Sequence, residues 1–140
     1  MCSKNFTIKN LLKFALFVAI LPIFAFSQTS RTTQSFDTNW QFLKGNADNA
    51  EKSNFNDSTW KTVNVPHDWS IEGPFDEKNP TGAGGGYLPS GVSWYRKHFT
   101  VSEKDKGKNF FIEFDGVMGI SDVWINGHYL GQRPSGYISF

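Results

Sequence analysis

Val123-Trp124-Ile125-Asn126-Gly127-His128-Tyr129-Leu130 sets Asn-Gly between two apolar runs. Both central residues of a type I′ turn need positive φ, which Asn and Gly adopt at least cost, so the stretch predicts a β-hairpin. Its strands are expected over Ser121–Ile125 and Tyr129–Gly131. Outward from the hairpin the same pattern repeats. Short apolar runs at Trp40–Lys44, Lys61–Val65, Ser93–Val101 and Phe110–Phe114 are separated by Gly, Pro, Asn and Asp, the residues that make turns. No long run spaces its apolar positions three and four apart, as a helix would. The reading is an all-β chain of short strands folded as a sandwich. Within Ser93–Val101, Tyr95, Phe99 and Val101 share one face and Trp94, Arg96 and His98 the other, which gives one packed and one partly polar face. Asp57-Ser58-Thr59-Trp60 reads as a turn in which Asp57 bonds local amides. Val65-Pro66 ends its strand, because Pro donates nothing to a central ladder.

The 140 residues carry 14 Lys+Arg against 13 Asp+Glu. That balance argues against nucleic acid or an anionic membrane as the main partner. A single Cys, Cys2, allows neither a disulfide framework nor a Cys-based zinc site. His67, His98 and His128 are scattered, so no metal and no cofactor are expected. Lys4, Lys9 and Lys13 precede an uncharged run, Phe14 to Phe26, that closes on Ala25-Phe26-Ser27. This is the pattern of a secretory signal peptide over residues 1–27. The run is too short for a membrane span and is interrupted by Pro22. Cys2 lies before the run, which argues against a lipid anchor. The product is expected to be exported, periplasmic or extracellular, with no membrane contact after cleavage. Residues 28–35, rich in Ser, Thr and Gln, read as a linker, and residues 36–140 as one domain. Five Trp and 16% aromatic residues suit a packed β domain. Trp40, Trp60, Trp94 and Trp124 are assigned to packing.

Between Pro66 and Val92 lies a long irregular stretch, and loops of that length in compact domains are usually functional or flexible. Its Gly82–Gly86 cluster is not a phosphate loop: no Lys-Ser/Thr follows, and no helix is set to aim amides at a phosphate. His67-Asp68 are neighbours in an extended chain and point apart, so they read as loop hydrogen-bonding groups beside a packed Trp69. No Gly-x-Ser-x-Gly elbow supplies a nucleophile. Glu72, Asp76 and Glu77 sit together in the loop and read as solvated. Glu113 and Asp115 flank Phe114 and are expected to face solvent or a neighbouring domain. Asn56-Asp57-Ser58 fits a glycosylation sequon but reads as a turn. No catalytic residue is assigned.

Five runs then accumulate in order: Phe55-Asn56-Asp57-Ser58-Thr59-Trp60, Val63-Asn64-Val65-Pro66-His67-Asp68-Trp69-Ser70-Ile71, Gly86-Tyr87-Leu88-Pro89-Ser90-Gly91-Val92-Ser93-Trp94-Tyr95-Arg96-Lys97, Phe114-Asp115-Gly116-Val117 and Val123-Trp124-Ile125-Asn126-Gly127-His128-Tyr129-Leu130-Gly131. In this order and spacing, over nearly all of residues 36–140, they resemble the N-terminal sugar-binding domain of glycoside hydrolase family 2, and its exported β-galactosidases in particular. The resemblance implies a galactose-binding-like jelly roll, followed by an immunoglobulin-like domain and a (β/α)₈ barrel that carries a Glu acid/base and a Glu nucleophile. Neither Glu maps onto this sequence. It implies an enzyme that cleaves terminal β-D-galactosides with retention, β-glucuronidase and β-mannosidase being the sister specificities. It also implies a loop that reaches the barrel mouth and touches the sugar. Asn79 and Asp68 are the polar contacts expected here, and Trp69 and Tyr87 the aromatic wall.

Gly136-Tyr137-Ile138-Ser139-Phe140 corresponds to the middle of the family's run. The domain is therefore expected to be incomplete at its C-terminus and the chain inactive alone, marginally stable and prone to aggregate through an open sheet edge. Its partners would be a β-galactoside or oligosaccharide and the parent enzyme's later domains. A free-standing carbohydrate-binding module and a purely structural or adhesive β domain are the rival readings.

Overall fold

The computed structural model describes residues 31–140, and the expected signal segment lies outside them, as do most of the residues before the domain. The chain divides after Gln34, and every strand among the described residues lies in the second unit, Ser35–Phe140. Five strands are present among the described residues: β1 Trp40–Lys44, β2 Lys61–Val63, β3 Ser93–Arg96, β4 Ser121–Ile125 and β5 His128–Arg133. They form an antiparallel three-stranded sheet of order β2-β1-β3 and the antiparallel pair β4-β5. The architecture is an all-β sandwich, with short 3₁₀ turns as its only helical pieces among the described residues.

The hairpin has the expected turn. Asn126 has φ 50° and Gly127 φ 82°, the two positive values that a type I′ loop requires. Val123 faces Gly131 while Trp124 faces Tyr129, so Leu130 is the extra residue of a bulge. Gly131, at φ 137°, supplies the backbone freedom that the bulge needs.

The bounds of β1 and β4 coincide with the sequence reading, whereas β2 and β3 are shorter than expected. β3 stops at Arg96 for want of a partner. Arg96 faces Gln41, and the chain before β1 leaves the extended conformation at Asn39, φ 58°. Phe99 and Val101 are consequently exposed rather than packed on a strand face. Phe110–Phe114 is not a strand of either sheet. Its single ladder-like contact is Phe114, which exchanges backbone bonds with Phe140 at 2.9 and 3.0 Å.

The core is small. Phe42, Ala50, Trp60 and Val63 are its buried apolar residues. Phe42 packs on Tyr95 and His67, and Trp60 on Phe55. Trp94 of β3 packs against Trp124 of β4 with ring centroids 5.4 Å apart and the planes tilted by 31°, so an aromatic pair joins the two sheets. Of the four Trp assigned to packing only Trp60 is buried, and the other three are half-buried.

Candidate functional site

The long loop leaves β2 through Val65, whose N–H donates to Asp37 O at 2.8 Å. It passes the cis Val65-Pro66 bond and then folds on itself in two arms. The first arm carries His67, Asp68 and Trp69. His67 is not bonded to loop backbone through its ring, as the sequence reading had it. Its Nδ1 lies 2.8 Å from Tyr95 Oη on β3, and its Nε2 lies 3.1 Å from Glu72 Oε1. Tyr95 Oη also donates to His67 O at 3.3 Å. Glu72 is no merely solvated acid either: Lys61 Nζ of β2 donates to the same Oε1. This Lys61-Glu72-His67-Tyr95 chain ties the loop to two strands of the sheet. Burial, with the negative charges of Asp68 and Glu72 adding to it, pushes the Tyr95 phenol up to about 12, so it stays neutral and able to donate across the physiological range.

Asp68 is the N-cap of the 3₁₀ turn Trp69–Glu72. Its Oδ1 accepts from Ser70 Oγ at 2.6 Å and Ser70 N at 3.0 Å. These bonds to Ser70, side chain first, hold the carboxyl below the usual carboxylate range. Asp68 is solvent-exposed all the same. The ring of Trp69 lies 4.9 Å beneath Lys44 Nζ, a cation–π contact that orients the indole at the loop's surface.

In the second arm Asn79 is half-buried and works as a brace. Its Nδ2 donates to Tyr87 O at 2.7 Å and Pro74 O at 3.2 Å, closing the arm across the Gly-rich tip. Thr81 Oγ1 donates to Leu88 O at 2.7 Å in the same manner. Tyr87 itself sits at φ 56°. Gly73 is required where the arms meet, since a Cβ there would stand 2.7 Å from Pro89 Cγ.

The structure thus brings together Asp68 with Trp69, and Asn79 with Tyr87. No hydrogen bond or ring contact among the described residues joins the two pairs. Three of the loop's four carboxylates are held by partners: Asp68 by Ser70, Glu72 by Lys61 and His67, and Asp76 by the Lys78 amide. Sequence reasoning missed the Glu72-His67-Tyr95 latch, because its members lie up to 28 residues apart and no spacing rule connects them.

A second cluster corrects the reading of Asp57. The local amide bond in that turn is made by Asn56 Oδ1, which accepts from Ser58 N at 3.1 Å. Asp57 instead accepts from Arg96 Nε at 2.9 Å and His98 Nε2 at 2.7 Å, with its side chain 13% exposed. Arg96 Nη1 also donates to Ala50 O and Lys52 O. The segment between β1 and β2 is thereby pinned to β3. An open hollow of about 600 Å³ lies beside it, lined by Lys97, His98, Phe99, Thr100, Val101 and Asn126. None of the four residues expected to touch sugar lines it.

No family model matches the chain. It is 52% identical over 110 residues to a β-galactosidase of Bacteroides ovatus, covering 79% of this chain and 13% of that protein. It is 42% identical over 125 residues to a putative β-glucuronidase of Formosa agariphila, covering 89% and 12%. Among solved structures, a glycosyl hydrolase family 2 member from Bacteroides cellulosilyticus superposes with a TM-score of 0.73 at 39% identity, over 76% of this chain and 15% of that one. The chain spans about an eighth of the length of the curated relatives it matches. Its sequence and its fold together place this β-sandwich among the domains of glycoside hydrolase family 2.

Proposed function

We infer that residues 36–140 are the N-terminal, non-catalytic domain of an exported, retaining exo-glycosidase that hydrolyses terminal β-D-galactosides. The observation that carries the reading is the 52% identity over 110 residues to a β-galactosidase. The state of the loop acids supports the non-catalytic role, since Asp68 and Glu72 serve to cap a turn and to anchor the loop. The acid/base and nucleophile Glu would come from a barrel domain elsewhere in the parent protein. This domain would present its loop at the barrel mouth. There the exposed Asp68 accepts from sugar hydroxyls, Asn79 accepts through Oδ1 because its Nδ2 is committed to the loop, and Trp69 and Tyr87 wall the ring. The 42% identity to a putative β-glucuronidase favours a glucuronide as the second reading.

Asp68→Asn tests the loop assignment in the parent enzyme, because the amide oxygen can still cap Ser70 while the charge is lost. About tenfold in KM for an aryl β-D-galactoside, roughly the 1.4 kcal/mol of one charge-assisted hydrogen bond, is expected. An unchanged KM removes Asp68 from the site. A preference for the aryl glucuronide over the galactoside replaces the first specificity with the second.

A further inference from the structure

Lys44 closes β1, where it faces Ser93 of β3, and the next residue holds the strand end in place, Gly45 N donating to Val92 O at 2.9 Å. The Lys44 side chain is exposed and leans on the loop, with Nζ 4.9 Å over the ring of Trp69. Trp69 is fixed in its turn. It opens the 3₁₀ turn Trp69–Glu72, which Asp68 caps through Ser70. That turn is tied to the sheet on both sides, by His67 to Tyr95 and by Glu72 to Lys61. A strand end and a braced turn therefore present the cation and the indole together, so little ordering is left for a ligand to impose.

The charges around this arm do not cancel at Lys44. Lys61 and His67 both meet the Glu72 carboxylate, and Asp68 is engaged by Ser70. Lys44 joins none of the ion pairs among the described residues, and its partner is the face of an indole. A π face attracts an ammonium without neutralising it, so the positive charge stays available to an anion. The ammonium is a compact point charge rather than a planar fork, which suits a carboxylate or a sulfate ester alike. Asp68, exposed and kept in its charged form by Ser70, disfavours a negative charge on the sugar whose hydroxyls it accepts. An anionic group belongs on the neighbouring sugar.

We propose that Lys44, seated on Trp69, reads a negative charge on the substrate, so that the parent enzyme acts on galactose attached to an acidic sugar bearing a carboxylate or a sulfate ester. This rests on the reading that brings the loop to the site of cleavage, and it adds the chemistry of the sugar on the far side of the bond. Trp69 supplies the apolar surface and Lys44 the charge, and the two act as one unit.

The test uses the intact protein and matched disaccharides: lactose, its analogue with a carboxylate in place of the glucose hydroxymethyl group, and its analogue with a sulfate ester on that group. The wild type is expected to favour a charged disaccharide over lactose by about fivefold in kcat/KM at low salt, the upper end for an exposed ion pair. The preference should shrink as salt is added. Lys44→Met should abolish it, while Lys44→Arg, which keeps the charge and the ring contact, retains it. Whether the carboxylate or the sulfate gains identifies the anionic group. Equal kcat/KM for all the disaccharides in the wild type, or a preference that survives Lys44→Met, overturns the proposal. Trp69→Leu separates that failure from failure of the reading beneath it. If it weakens lactose hydrolysis while Lys44→Met changes nothing, the role of Lys44 alone falls. If hydrolysis is indifferent to both substitutions, or no disaccharide is cleaved, the loop reading falls and the proposal with it.

Discussion

Asp57 accepts from Arg96 and His98 while its side chain is 13% exposed, and its titration follows from that position. Burial raises its carboxyl, but the hydrogen bonds and charges of His98 and Arg96 outweigh burial and leave it below 3.8. A carboxyl depressed in the folded state contributes stability above its unfolded pKa and loses it as pH falls through the folded value. Asp57→Asn should therefore destabilise the protein at pH 7 and weaken its loss of stability below about pH 4, as chemical denaturation across pH 2–7 would show. Tyr95 gives the opposite limb. Its phenol is pushed up to about 12, so its contribution is intact below the unfolded value near 10 and declines as pH rises toward the folded one. Tyr95→Phe should flatten that alkaline decline, measured the same way, while loosening the His67 end of the loop. Neither residue was legible for this role in the sequence. A turn residue such as Asn56 bonds a neighbour two positions on, which spacing reveals, but Asp57 bonds a residue 39 positions away and only the completed sheet brings them together.

At the scale of elements, legibility followed locality in the same way. The β4-β5 hairpin was readable because its turn chemistry is written in two adjacent residues, and β5 merely extends beyond the expected bounds. Gly127→Ala, at φ 82° with no atom closer than 3.8 Å to the new Cβ, isolates the conformational cost. About 1–2 kcal/mol of destabilisation is expected from the left-handed backbone alone, read as a lowered denaturation midpoint with the fold retained. Phe110–Phe114 carries as good a strand pattern as β1, yet among the described residues it pairs with no strand of either sheet. Pattern announces a capacity for pairing, and a partner decides whether the strand forms. The loop was legible in extent, but the latch that positions it was not, since side-chain partners on another strand leave no mark in the loop's own sequence.

Over the whole domain the balance of burial is unfavourable. The four buried apolar residues stand against Phe75, Phe111, Met118 and Tyr137, each at least 75% exposed. A small core offsets little of the chain entropy lost on folding. The 140-residue chain alone is predicted to melt broadly and to aggregate with rising concentration, and a sharp, concentration-independent melt of a soluble monomer would contradict this. The fold class and the family resemblance were readable at this scale because five motifs occur in order. Specificity was not, since the residues that choose between galactoside and glucuronide are expected on a barrel that this chain does not contain. The most direct measurement is hydrolysis of an aryl β-D-galactoside by the 140-residue chain and, side by side, by the intact protein that contains it. The account predicts turnover by the intact protein and none by the chain. Turnover by the chain itself, or an intact protein inert toward galactoside and glucuronide alike, would contradict it.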